Sequence, residues 1–115
     1  MSKICLVAFN GEPMCFVHVL LNAFDFKQKG YAVTIVVEGS ACKLVKDLAE
    51  ETNPFHAMWE QAKNDSLISA VCRACCIKMN SIESAQSQGL PLEADMKGHV
   101  ALEKYIKAGF TLITF

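Results

Sequence analysis

Leu67-Ile68-Ser69-Ala70-Val71-Cys72-Arg73-Ala74-Cys75-Cys76-Ile77-Lys78-Met79 runs from one kind of local structure into another with no turn residue between them. Residues 67–71 form a short apolar run set off by Asn64-Asp65-Ser66, and this reads as a strand. Good helix formers follow, so a helix is expected from about Arg73. A strand that feeds directly into a helix puts the junction at the carboxyl edge of a sheet, where open α/β folds place their chemistry. Three of the six cysteines, Cys72, Cys75 and Cys76, stand at that junction. Cys72 falls in the N-cap region, with Cys75 and Cys76 one turn later. Free backbone N–H groups, the helix dipole and the charges of Arg73 and Lys78 are expected to favour thiolate over thiol there. The stretch predicts a reactive sulfur centre.

Working towards the N-terminus, residues 53–63 read as a short helix begun by Asn53-Pro54, with Phe55, Met58, Trp59 and Ala62 inward. Ser40 is a plausible N-cap for a helix over residues 41–50 that buries Leu44, Val45 and Leu48. Residues 31–37, rich in β-branched side chains, predict the strand before the Glu38-Gly39 turn. Residues 14–29 repeat apolar side chains at helical spacing (Phe16, Val17, Leu20, Leu21, Phe24), led by Pro13 and closed by Gly30. Residues 4–9 are continuously apolar, as a strand buried on both faces should be, and end at Asn10-Gly11-Glu12.

Towards the C-terminus, Asn80 with Glu83 resembles a capping box for a further short helix that Gly89-Leu90-Pro91 ends. A short edge strand is expected within residues 90–93, a helix over residues 98–107 and a last strand over residues 110–115. The alternation predicts one domain over residues 1–115, an α/β sandwich around a mainly parallel sheet with right-handed crossovers.

Composition narrows the function. At 115 residues, 52% hydrophobic, the chain can bury an ordinary core. Its net charge of −1 comes from mixed Lys, Arg, Asp and Glu, with no basic stripe to suit nucleic acid. No apolar run is long enough for a membrane span, and residues 4–9 are too short for a signal-peptide core. Six cysteines without a secretory signal point to free thiols in the cytoplasm. Neither a GxGxxG fingerprint nor a P-loop is present, and no cofactor is expected.

In a parallel sheet the loops after the strands share one edge, so Cys15, Cys42 and the Cys72 group are drawn together there. Asn10, Gly11 and Ser40 lie in those loops and, with Arg73, are the expected substrate-binding residues. Cys72, Cys75 and Cys76 are the expected catalytic residues. Cys5 reads as an inert core thiol, and Cys15 and Cys42 as packing residues unless the edge uses them. His99 could serve as a base or an anion donor, whereas His18 and His56 read as boundary residues on helices. A zinc shell built from these thiols lacks a second Cys-x-x-Cys, so no metal is expected.

The run of strand, Cys-x-x-Cys, short helix, Leu90-Pro91-Leu92, a further helix and a closing strand ending Leu112-Ile113-Thr114-Phe115 resembles the DsrE/DsrF-like proteins, and most of all their small stand-alone YchN-type members. The resemblance implies a three-layer α/β/α fold with a four- to five-stranded sheet, assembled as a homo-oligomer, trimer or hexamer. It implies a sulfur carrier or sulfurtransferase that holds a persulfide on Cys72 and exchanges it with donor and acceptor proteins. Cys75 matches the second cysteine of the YchN-type members. Asn80-Ser81-Ile82 departs from the family's usual Gly-Ile. A thiol–disulfide redox protein, or a zinc-binding or structural oligomer subunit, is the alternative expectation.

Overall fold

Three of the apolar runs become the buried middle of a single sheet. A computed structural model describes residues 2–115. Its strands are β1 (Lys3–Ala8), β2 (Ala32–Val37), β3 (Ile68–Cys72), β4 (Leu92–Glu93) and β5 (Phe110–Thr114). Helix α1 (Pro13–Gln28) joins the first two, α2 (Cys42–Leu48) and α3 (His56–Asn64) the next two, and α4 (Arg73–Lys78) and α5 (Ile82–Ser87) lead to β4. Helix α6 (Glu103–Lys107) precedes β5. The strand order is β4-β3-β2-β1-β5 with every neighbour parallel. The expected α/β sandwich is therefore present, with a five-stranded, wholly parallel sheet among the described residues.

The order explains the layers. From β1 to β4 each crossover steps the same way across the sheet, so right-handedness puts α1 to α5 on one face. The return from β4 to β5 spans the whole sheet and brings α6 to the other face, where the Tyr105 hydroxyl meets Ser69 Oγ at 2.9 Å. On the five-helix face Phe16 and Trp59 are fully covered and meet edge to face at 5.8 Å. Gln88 ties three helices there. Its Oε1 accepts from Trp59 Nε1 and Lys63 Nζ, and its Nε2 donates to the Val45 carbonyl and to Ser84 Oγ.

Several boundaries differ from the sequence reading. The helix expected over residues 98–107 begins only at Glu103. Met96 and His99 instead close a tight turn, each amide donating to the other's carbonyl, with φ of 51° at Lys97 and 92° at Gly98. Two positive φ values are the signature of a type I′ turn, which glycine suits. Asp95 accepts from the Ala101 amide, and Lys104 bridges Glu93 and Asp95, so side chains hold the loop. The capping box is also absent. Asn80 has φ 57° and turns the chain between α4 and α5, while the Ser81 hydroxyl donates to the Cys76 carbonyl. Ser40 does not cap α2, because it lies in a 3-10 turn, Gly39–Ala41, ahead of that helix. Asn53 Oδ1 accepts from the Phe55 amide, so Pro54 belongs to a turn and α3 starts at His56.

Candidate thiol–imidazole site

The carboxyl ends of β2, β3 and β4 bring the site residues together. Cys72 closes β3 and stands at the N-cap of α4, and Cys75 follows one turn along. The 96–99 turn lies over them. Its Gly98 carbonyl accepts from the Ala74 amide at 2.9 Å, which anchors the turn to the first turn of α4. His99 Nδ1 then comes to 3.2 Å from Cys72 Sγ and 3.6 Å from Cys75 Sγ. The three donor atoms all lie within 4.8 Å of one another. Cys72 is fully buried, Cys75 is half-buried and His99 is exposed.

At Cys75 the electrostatics run against the thiolate expected at this helix start. Cys72 makes no side-chain cap hydrogen bond, and the Ala74 amide is taken by a backbone carbonyl. The Cys75 thiol is not poised low; it is pushed up to about 11. Burial is the main cause, its hydrogen bond to Cys72 adds to it, the Gly39 amide opposes it, and the Cys72 and Glu38 charges raise it further. Arg73, expected to polarise the thiols, is exposed at the first position of α4. Direct access to Cys72 is corrected too: the Gly98-His99 turn covers it, and the open side of the cluster is formed by Cys75 and His99.

Cys76 does not join this cluster. It is fully buried behind it and pairs with Cys42. The Cys42 thiol is driven up by the hydrogen bond it gives Cys76 and by burial. That bond, helped by the Ser81 hydroxyl, draws Cys76 down against its own burial. Cys42 Sγ also points at the Val37 and Cys72 carbonyls, at 3.6 and 3.8 Å. Cys15 is half-buried on α1, and among the described residues it is not part of the thiol–imidazole cluster.

Asn10, Gly11 and Ser40, expected to bind substrate, also make local hydrogen bonds at the strand ends. The Ser40 hydroxyl accepts from the Gly11 amide at 2.9 Å and donates to the Phe9 carbonyl. Gly11 is buried so closely that a Cβ there would lie 2.6 Å from the Ser40 carbonyl oxygen. Asn10 Oδ1 accepts from the Glu12 amide, tightening the same turn. Sequence reasoning gave little weight to Glu38 and Gly39. Burial raises the half-buried Glu38 carboxyl, and the His99 imidazole draws it back, so the two are electrostatic neighbours. Their position just past β2, at the carboxyl edge, was the signal available for both.

Chemically, the cluster offers a nucleophile with a base at hydrogen-bonding distance and a second thiol one helical turn away. With the His99 proton on Nε2, Nδ1 accepts from the Cys72 thiol; the imidazolium instead donates to the thiolate.

No family model matches the chain. A conserved protein of unknown function from Bacteroides thetaiotaomicron, BT1422, has a similar structure, with a TM-score of 0.75 over 99% of this chain and 95% of that one. At 16% identity this likeness is one of fold. An uncharacterized protein of Methanocaldococcus jannaschii, MJ0733, is 40% identical over 96 residues, which span 84% of this chain and 76% of that protein. With two fifths of its residues shared over most of its length, the chain belongs to the family of MJ0733.

Proposed function

We propose that the protein is a DsrE/DsrF-like sulfur carrier whose Cys72 takes up and passes on sulfane sulfur, with His99 as its base. The observation that carries this reading is the 3.2 Å approach of His99 Nδ1 to Cys72 Sγ. A nucleophilic thiol needs its proton removed, and an imidazole at that distance supplies the means. His99 accepts the Cys72 proton, and the thiolate attacks the outer sulfur of a donor persulfide, R–S–SH. A bond forms between Cys72 Sγ and that outer sulfur as the donor's own S–S bond breaks, and the donor leaves as the thiolate R–S⁻, which takes up a proton. An acceptor thiolate then attacks the outer sulfur of Cys72–S–SH and restores the Cys72 thiolate. The sulfur moves with no net oxidation. Cys72 lies under the 96–99 turn, so the donor approaches it from the open side formed by Cys75 and His99.

Donor and acceptor are cytoplasmic proteins in this proposal, and the carrier is a homo-oligomer. Met14 and Leu21 on α1, 62% and 51% exposed, give apolar surface for a subunit contact. Among the described residues no helix is long and apolar enough to cross a membrane.

The test is intact-mass measurement after the reduced protein meets inorganic polysulfide. Wild type should gain the mass of single sulfur atoms, Cys72→Ser should gain none, and His99→Ala should gain them about 100-fold more slowly, the typical worth of a positioned base. An adduct that survives Cys72→Ser refutes the reading. A second reading, thiol–disulfide exchange, is favoured by the Cys72 and Cys75 sulfurs lying within 4.8 Å of one another. It predicts a Cys72–Cys75 couple poised near the cytosolic glutathione range of about −250 mV.

A further inference from the structure

The same edge of the sheet carries a donor set with a second chemistry. Cys72 Sγ, Cys75 Sγ and His99 Nδ1 lie within 4.8 Å of one another, and their sulfur–nitrogen separations are 3.2 and 3.6 Å. A tetrahedral zinc ion with bonds of about 2.0–2.3 Å sets its donors about 3.5–3.8 Å apart. The two sulfur–nitrogen separations already stand near that spacing and the two sulfurs lie within 4.8 Å, so side-chain rotations bring all three atoms to one centre. We propose that Cys72, Cys75 and His99 form a three-donor site for a thiophilic divalent cation, with zinc the natural occupant.

The donor types support this choice. Two thiolates and a neutral imidazole form a soft set that suits zinc and not magnesium or calcium. The frame is also built. Cys72 and Cys75 stand three residues apart, at the N-cap and in the first turn of α4, and the turn bearing His99 is pinned to that helix by the 2.9 Å bond from the Ala74 amide to the Gly98 carbonyl. The third ligand is therefore oriented by backbone. Because His99 is exposed, the fourth coordination position faces solvent, as in zinc sites that keep one position open. Cys42 is outside the set, its sulfur being directed at the Val37 carbonyl and paired with Cys76.

Binding is a proton-for-cation exchange. Each thiol releases its proton to solvent, each sulfur donates a lone pair to the ion, and nothing is oxidised. The site does not rest on the sulfur-carrier reading, but the two share the Cys72 sulfur. An ion bound there and a persulfide formed there exclude one another, so zinc would hold the carrier in an unloaded form.

The experiment adds cobalt(II) to the reduced full chain without oxygen and records its absorption. Expected are near-ultraviolet thiolate-to-cobalt charge-transfer bands and visible bands of tetrahedral cobalt, saturating at one ion per chain and erased by zinc(II). Cys75→Ser and His99→Ala should each weaken binding by roughly 100-fold or more, beyond the loss of an outer-shell partner. Cys42→Ala should leave it unchanged, and His99→Ala, at an exposed position, should keep the wild-type unfolding midpoint. No cobalt bands, bands unchanged in His99→Ala, or bands lost in a folded Cys42→Ala would each overturn the site. Polysulfide loading is run in parallel, with and without zinc. Loading by a protein that binds no cobalt overturns the metal site alone. Cobalt binding by a protein that takes up no sulfur overturns the carrier alone. Sulfur uptake at an undiminished rate on the zinc-loaded protein overturns the mutual exclusion.

Discussion

A thiol at hydrogen-bonding distance from an imidazole nitrogen is the smallest unit that explains this site, and only its sulfur half was plain in the sequence. Cys72 and Cys75 declare themselves by falling where a strand meets a helix. His99 lies 27 residues from Cys72 along the chain, and no spacing rule connects them. Glu38 was harder still, since a carboxyl after a strand is ordinary. Its environment nevertheless makes a prediction. A carboxyl whose folded value stands above its ordinary value of 4.5 contributes stability below that value and loses it as pH rises through the folded one. Near neutral pH the ionised, half-buried Glu38 therefore costs stability. Glu38→Gln should raise the thermal midpoint at about pH 7 and lose that advantage at about pH 4. A lowered midpoint at neutral pH would mean that the carboxylate is held by favourable contacts and not merely desolvated.

At the scale of elements, the 96–99 turn carries the argument. Its apolar neighbours Val100, Leu102, Tyr105 and Ile106 repeat at helical spacing, so residues 98–107 read as one helix from sequence. The helix starts five residues late because Gly98 has φ 92° and because Lys104 is tied back to Glu93 and Asp95. Periodicity reports burial, whereas long-range ion pairs and positive φ angles are invisible to it. The glycine is required twice over. A Cβ at Gly98 would meet Ala74 Cβ at 3.3 Å, and the backbone angle itself is strained for any other residue. Gly98→Ala should cost about 1–3 kcal/mol in denaturant unfolding and also slow sulfur loading, because it moves His99 away from Cys72. Full stability and full loading in that variant would show that the turn does not position the histidine. The same invisibility hid the Asn80 turn and the Ser40 brace. A polar residue near a helix start looks like a cap unless its actual partner is known.

For the whole molecule, the class was legible and the arrangement was not. The apolar, β-branched runs of β1, β2 and β3, bounded by turn residues, read as strands covered on both faces, and this calls for helices on both sides of a parallel sheet. Nothing in the runs says that β5 returns to pair with β1 at the edge opposite β4. That return matters for the proposed function, because it draws the segment after β4 across the carboxyl edge and sets His99 over the thiols. It also leaves β5 as an edge with Thr111 and Thr114 exposed. The most direct measurement is peptide-level mass mapping of the protein after brief exposure to polysulfide and alkylation. The account predicts that the added sulfur is found on the peptide carrying Cys72, and that it leaves when an acceptor thiol is added. Sulfur found on Cys15 or Cys42, or sulfur on Cys72 that no thiol removes, would contradict it.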